Sequence, residues 1–175
     1  MTRRTPPALA LATIAVAMLA TGCTPTPEPT PTPTGFASEE EAFAAAEETY
    51  RAYVDAVNDV DVSDPTTFEP VFAFLSGNAL EGTKKAYSQL HADEITMEGD
   101  SIPTSVEILS TSTVAEATLD ICLDVSQVTA VDPDGNSIVS TSRPDIQPLR
   151  ATLEAHEAHW RIEALSDRDD GASCE

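Results

Sequence analysis

VAEATLDICLDV, residues 114–125, alternates apolar and polar side chains from Ala115 to Val125. A period of two is typical of a β-strand, because successive side chains point to opposite faces of a sheet. The apolar positions are Ala115, Ala117, Leu119, Ile121, Leu123 and Val125, and the polar positions are Glu116, Thr118, Asp120, Cys122 and Asp124. The pattern predicts a half-buried antiparallel strand over 114–131, with one face on a core and the other in solvent.

Other short segments around this strand show the same period. We expect further strands at 95–97, 105–111, 138–139, 149–155 and 160–164. The sequence DPDGN at 132–136 predicts a turn between two of them. It also resembles the start of a calcium loop, but Gly135 falls at the fourth place instead of the sixth, and Arg143 stands where a calcium loop has glutamate. A turn without calcium is therefore the prediction.

The residues before 95 have a helical period instead. Ser38 and Glu41 predict a capping box, and a single apolar stripe follows as far as Asn58: Phe43, Ala46, Tyr50, Val54 and Val57. Pro65 and Pro70 predict a broken helical segment with a buried stripe of Phe68, Val71, Phe72 and Leu75. Gly77 is expected to end that segment, and a third helix from Asn78 to about Ala92 carries Leu80, Thr83, Tyr87 and Leu90 on one side.

Helices followed by antiparallel strands predict an α+β fold, in which the N-terminal helices pack on one face of a curved sheet of four to six strands. We expect the inward residues of the sheet to face those of the helices. The sheet residues are Leu119, Ile121, Leu123, Leu153, Trp160 and Ile162, and the helix residues are Phe43, Tyr50, Val54 and Phe72.

The first 35 residues have a different composition. Arg3 and Arg4 precede an uninterrupted apolar run at 8–20, whose 13 residues reach roughly 20 Å as a helix, short of a membrane core of about 30 Å. This is the pattern of a secretory signal peptide, and LATGC at 19–23 resembles the bacterial lipoprotein box, with Ala20 where leucine is usual. The resemblance implies lipidation of Cys23. We therefore expect a signal peptide at 1–22, a lipidated Cys23 with a Thr/Pro linker at 23–35, and a folded domain at 36–175.

The order of elements in 36–175, with Trp160-Arg161-Ile162 in the last strand, resembles the nuclear transport factor 2-like cone. It is similar in particular to small secreted actinobacterial lipoproteins with that domain, which pair a cysteine in an x-Cys-x-Asp context with a cysteine near the C-terminus. Here these residues are Cys122 and Cys174. The resemblance implies a disulfide between them, and the even number of cysteines left after lipidation favours the same pairing.

The charge of the chain excludes one class of partner. Nine Lys and Arg residues against 30 Asp and Glu residues give a formal charge of −21, and removal of Arg3 and Arg4 with the signal peptide makes it −23. Such a chain cannot neutralise a row of phosphates, so nucleic acid is not expected as a partner. The carboxylates are either a solvated surface or a face for a basic partner, and the composition leaves both interpretations open.

A few side chains are candidates for chemistry in the cone. The resemblance implies that an enzyme of this fold would place an Asp or Tyr inside the cavity as base or oxyanion donor. The side chains that could line a pocket here are Tyr50, Tyr53, Tyr87, His91 and Trp160, with Glu94 nearby. None of them matches a catalytic motif of the resembled family. His156 and His159 would face the same way across a two-residue turn and could share a metal, but a four-residue loop that leaves both exposed is the prediction. We expect no metal and no cofactor.

These observations predict a lipid-anchored protein on the extracytoplasmic face of the cell membrane, with a non-catalytic binding or accessory domain. Its partner would be an envelope protein or a small ligand. The alternatives are a small-molecule carrier and an isomerase- or cyclase-like enzyme, both of which need an open cavity in the cone. The volume of the interior therefore discriminates among the three.

Overall fold

A computed structural model describes residues 35–109, 112–168 and Cys174. The predicted signal peptide, the lipidated Cys23 and the linker up to residue 34 lie outside the described residues. The described residues belong to one compact unit.

Helices precede strands in the chain, as predicted. The elements in chain order are α1 (Glu39–Asn58), a 3-10 turn (Pro65–Phe68), α2 (Glu69–Phe72), α3 (Gly77–Ala92), β1 (Thr96–Glu98), β2 (Ile102–Ile108), β3 (Glu116–Asp124), β4 (Thr129–Val131), β5 (Ile146–His156) and β6 (His159–Asp167). Strands β2, β3, β5 and β6 form one antiparallel sheet in the order β2-β3-β5-β6, and β1 pairs with β4 separately. The helices pack on one face of the four-stranded sheet, so the α+β fold class is confirmed.

Strand β3 has the predicted phase. Ala117, Leu119 and Ile121 are fully buried, whereas Asp120 and Cys122 lie on the opposite face. The neighbouring strand β5 continues the pattern, because Leu119 lies opposite Ala151 and Asp120 lies opposite Arg150. The apolar positions of the alternating sequence therefore face the core, and the polar positions face the opposite side of the sheet.

Helix α1 begins where the capping pattern predicts. The Ser38 hydroxyl accepts a hydrogen bond from the Glu41 backbone N–H at 3.1 Å, and the Glu41 carboxylate accepts one from Ala37 N–H instead of Ser38 N–H. The buried line of the helix is Ala42, Ala46, Tyr50 and Val54, a step of four residues. Phe43 and Val57, predicted in this line, flank it and pack against the core half-buried.

The start of α3 differs from the prediction. Gly77 begins this helix instead of ending the previous segment, and Ser76, not Asn78, is its N-cap. Gly77 has a φ of +46°, and a Cβ there would lie 2.8 Å from Cγ of Glu163 on β6. Ser76 N–H also donates to the Ile162 carbonyl, so contacts with β6 decide where α3 begins.

Three predicted strands differ from the structure. The strand predicted at 114–131 breaks after Asp124, where Val128 N–H donates to the Val125 carbonyl in a turn, and Thr129–Val131 joins the other sheet as β4. Strand β2 runs from Ile102 to Ile108 instead of 105–111. The predicted strand at 138–139 is wrong: Ser137 makes a single bridge to Val131, and Ile138 is half exposed. A backbone hydrogen bond from Ile138 N–H to the Ala130 carbonyl also holds this segment. Farther along, Nη2 of Arg143 donates to the carbonyls of Val125 and Val128 at 2.9 and 2.8 Å.

Candidate functional site

The space between helices and sheet is filled by side chains. Leu119, Ile121 and Leu153 from the sheet and Tyr50 and Val71 from the helices are each at most 1% exposed. They belong to one continuous cluster that the other buried residues of the sheet complete. Most of the predicted core pairing is confirmed, with Val71 buried in place of the half-buried Phe72.

The three predicted pocket tyrosines lie along the helix side of this core. The rings of Tyr50 and Tyr53 are 5.9 Å apart, and the ring of Tyr87 lies 5.0 Å from Phe68 and 6.1 Å from Phe72. Burial raises the pKa of Tyr53 to about 12, and burial together with Tyr53 raises the pKa of Tyr50 and Tyr87 above the usual 10.0. Such phenols stay neutral at physiological pH, so they can donate hydrogen bonds but do not act as ready bases.

One pocket reaches this region at Tyr87. It has a volume of about 150 Å³ and is also lined by Val57, Val60, Met97 and Gly99. Sites for drug-sized ligands occupy roughly 300–1,000 Å³. This pocket is smaller than that range.

Trp160, predicted to line a pocket, has a structural role. Its Nε1 donates a hydrogen bond to the Ala42 carbonyl at 2.7 Å, and its ring stacks on Phe36 with centroids 5.3 Å apart. Both contacts attach the start of α1 to β6. The side chain is buried, although its margin also lines a shallow surface pocket.

His91 and Glu94 lie in a groove of about 420 Å³ at the C-terminal end of α3, together with Val62, Ser63 and Thr96. His91 Nδ1 is 2.8 Å from the Val62 carbonyl oxygen, which fixes Nδ1 as the protonated nitrogen. Among the described residues the imidazole makes no hydrogen bond with a carboxylate. The groove thus contains a histidine whose ring orientation is fixed by a backbone carbonyl.

The conformation of Glu94 has a local explanation. Its φ is +54°, its N–H donates to the His91 carbonyl, and Ile95 N–H donates to the Leu90 carbonyl. This pair of bonds is a Schellman motif, with Glu94 in the left-handed position that glycine usually occupies. The unusual backbone terminates α3 and indicates no reaction chemistry.

The histidine pair of the β5–β6 hairpin corrects a prediction. His156 and His159 are opposite each other, so the loop has two residues, Glu157 and Ala158, and not four. Glu157 takes a φ of +60°, although glutamate is not a residue that such a turn favours. Both histidines are exposed, as expected. No group of three or more metal-ligating side chains occurs among the described residues.

A disulfide bond and a cluster of ion pairs lie on the outer face of the sheet. Cys122 on β3 and Cys174 form the predicted disulfide, with Cα atoms 5.6 Å apart. Next to it, the Asp120 carboxylate accepts two hydrogen bonds from Arg150, at 2.7 and 3.0 Å, and lies 3.3 Å from Arg168. The alternating pattern did not predict this ion-pair cluster, although Arg150 stands at a polar position of the segment 149–155.

The two edges of the four-stranded sheet differ. At the β6 edge, Leu75 makes a parallel bridge with Ile162, and Ile162 N–H donates to the Phe74 carbonyl at 2.9 Å. At the β2 edge no described strand pairs with the outer side of Ile102–Ile108. Ile102, at the start of that strand, is 54% exposed and is the most exposed large apolar side chain of the described residues.

No helix in the described part of the chain is long and apolar enough to cross a membrane.

Comparisons with known proteins give weak structural likenesses. No family model and no curated protein matches the sequence. An IcmL-like type IV secretion system protein from Legionella pneumophila matches 81% of this chain and 99% of its own, with 11% identity and a TM-score of 0.44. A candidate polyketide cyclase from Xanthomonas campestris matches 72% of this chain and 90% of its own, with 11% identity and a TM-score of 0.38. A second one, from Silicibacter, has 12% identity, coverages of 71% and 90%, and a TM-score of 0.38. Likeness at this level assigns no activity or partner to the chain.

Proposed function

We propose that this chain is a lipoprotein anchored at the extracytoplasmic face of the cell membrane, and that its folded domain docks a protein of the envelope without catalysing a reaction. The packed interior carries the second half of the proposal. Tyr50, Leu119 and Leu153 are buried between the helices and the sheet, which supports a domain without a ligand cavity there.

The first half rests on residues outside the described part of the chain. The apolar run 8–20, the box ending in Cys23 and the alternating Thr/Pro linker form an anchor followed by a spacer. Eleven linker residues in polyproline II reach roughly 34 Å at about 3.1 Å each. Two acyl chains hold a protein firmly at a membrane, whereas the charge of −23 keeps the domain away from anionic headgroups. This arrangement would present the domain to other envelope components.

Metabolic labelling with a clickable fatty acid tests the anchor. We expect the full chain to be labelled and Cys23→Ala to be unlabelled. A Cys122→Ala/Cys174→Ala variant is the matched control and should keep its label, because acylation is expected at Cys23 alone. A labelled Cys23→Ala protein would overturn the lipid assignment.

Native mass spectrometry tests the packed interior. The domain 36–175, purified from the producing cells, should have the mass of the polypeptide alone. A small molecule that co-purifies stoichiometrically would overturn docking in favour of a carrier. An adduct found only with Tyr50→Ala would show that the Tyr50 side chain fills a space that a small molecule can otherwise occupy, and it would be consistent with a packed native interior.

A further inference from the structure

The open edge of strand β2 presents backbone hydrogen-bonding groups in a defined pattern. Leu109 N–H donates to the Thr118 carbonyl at 2.9 Å, and the register places Glu107 opposite Asp120. In an antiparallel pair, alternate residues direct both backbone groups toward the partner strand. Leu109 and Glu107 therefore face β3, while the N–H and C=O groups of Val106 and Ile108 point away from the sheet.

Those outward groups have no partner among the described residues. The hydrogen bonds of the described residues at this edge leave those groups free. Ser101 pairs with Asn58, and the Pro103 carbonyl accepts from Arg51 at 3.4 Å, both at the N-terminal end of the strand. Farther along, the Ser105 hydroxyl donates to the Glu107 carboxylate at 3.4 Å, a bond between side chains. The opposite edge of the sheet, by contrast, is closed by the bridge between Leu75 and Ile162. Unpaired strand edges are templates for another strand unless charge, proline or a bulge protects them.

The features of β2 that hinder pairing with another strand act only on part of the strand and only against some partners. Pro103 and the bulge between Pro103 and Ser105 block only the start of the strand. Farther along, the single charged side chain is Glu107, which is exposed on the outer face, with Glu98 and Asp100 exposed just before the strand. The cation at this edge, Arg51, is already bound by Glu47 at 2.8 Å. Basic side chains on an added strand would neutralise these carboxylates, whereas neutral or acidic side chains would not.

We propose that the β2 edge binds an extended segment of a partner protein in which apolar and basic residues alternate, as an added antiparallel strand. The backbone of that segment pairs with Val106 and Ile108. One set of its side chains continues the half-buried apolar face that these two residues begin, and the other set, lysine or arginine, lies beside Glu107. The inference rests on the proposed docking function and names its site and the chemistry of the partner.

A second copy of the chain fits this edge poorly. Two β2 strands that pair Val106 with Ile108 of the other copy place Glu107 directly opposite Glu107, and like charges in that position are destabilising. Each mature chain would also bring a charge of −23 to the contact.

Binding of short peptides to the domain 36–175 tests the site directly. The probe is a seven-residue capped peptide of alternating lysine and valine, and its glutamate–valine twin is the control. We expect the lysine peptide to slow hydrogen exchange at the Val106 and Ile108 amides, to bind less tightly in higher salt, and to bind where the twin does not. Equal binding of both peptides, or no change at the two amides, would overturn the proposal.

Two variants separate backbone pairing from general charge attraction. Val106→Pro removes an outward N–H without touching the ladder to β3, and proline is tolerated on such an edge. It should weaken the lysine peptide about tenfold. Glu107→Lys should weaken it by a similar factor, whereas Glu81→Lys, the same charge change on α3, should have less than about a threefold effect. Equal effects of the two charge reversals would show that binding is not at this edge.

Capture of partners from envelope extract distinguishes a failure of the proposed docking function from a failure of the proposed β2 site. A partner captured by the native domain and lost with Val106→Pro supports both the docking function and the site. A partner captured equally by both proteins leaves docking intact and overturns the site. Self-association of the domain that Val106→Pro abolishes would make the partner a second copy and would also overturn the inference.

Discussion

The indole Nε1 of Trp160 donates a hydrogen bond to the Ala42 carbonyl at 2.7 Å and thereby joins the last strand to the first turn of α1 across 118 residues of chain. The same ring stacks on Phe36 and is 4% exposed. The contact connects the two ends of the domain by one buried side chain.

Trp160→Phe should lower the free energy of unfolding by about 2 kcal/mol, because it removes this hydrogen bond and leaves a small cavity. Urea denaturation of the domain measures the change. His159→Ala, at an exposed position next in the chain, is the control and should change stability by less than about 0.5 kcal/mol. Equal midpoints for the two variants would contradict the structural role of Trp160.

Glu94→Gly should stabilise the domain by about 0.5–1 kcal/mol, because glycine adopts the left-handed conformation of this helix end without steric cost. Asp93→Gly is the matched control, since the φ of Asp93 is −86° and glycine there should destabilise. Thermal unfolding of both variants gives the comparison. A loss of stability in Glu94→Gly would contradict the Schellman assignment.

Gly99→Ala and Gly82→Ala should have opposite effects. Gly99 has a φ of +88°, and a Cβ there would collide with the backbone carbonyl of Gln127, so the substitution should cost about 3 kcal/mol. Gly82 lies inside α3, and a Cβ there would meet no atom within 4 Å, so alanine should add up to about 1 kcal/mol. A Gly99→Ala variant with the same denaturant midpoint as the native domain would contradict the close approach of Gly99 to Gln127.

Loss of the disulfide should destabilise the domain strongly. Cys122 and Cys174 are separated by 52 residues, and closing a loop of that length contributes about 4 kcal/mol in the chain-entropy model. Cys174→Ser should therefore unfold at lower urea concentration, and the native domain in reductant should match it. If the variant and the oxidised native domain unfold together, the bond contributes nothing to stability.

The tyrosine hydroxyls should lose their protons at a higher pH in the folded domain than in the unfolded chain. All three tyrosines of the chain are Tyr50, Tyr53 and Tyr87, so the ultraviolet absorbance of tyrosinate reports on this cluster alone. Their folded pKa values lie above the unfolded 10.0, with Tyr53 at about 12. The resulting stabilisation is complete below pH 10 and is lost as the pH rises toward 12 and beyond. The urea-unfolded chain should titrate near 10, and the same midpoint in the folded domain would refute burial of the phenols.

Local periodicity was sufficient for the class of fold and for the core faces of its longest elements. The alternation at 115–125 predicted which side of β3 is buried, because a shift by one residue would have turned Asp120 and Asp124 into the core. The step of three to four residues in α1 identified its buried side to within one position. Cysteine count and context similarly indicated the pair Cys122 and Cys174.

Contacts between distant segments decided the rest. Gly77 begins α3 because β6 lies against it, and Glu157 accepts a positive φ because the strands on either side pair up to His156 and His159. The sharing of Asp120 by Arg150 and Arg168 depends on which strands are neighbours.

The candidate site depends most on tertiary structure. The sequence identified tyrosines that could reach an interior, but whether side chains from opposite layers leave a cavity depends on how they interdigitate, which periodicity does not contain. It also could not show that β6 is covered by Leu75 while β2 remains open. The sequence by itself therefore determined the class of fold and its buried faces and predicted the location of the protein. Only packing decided that the described core is filled and that no described strand pairs with the outer edge of β2.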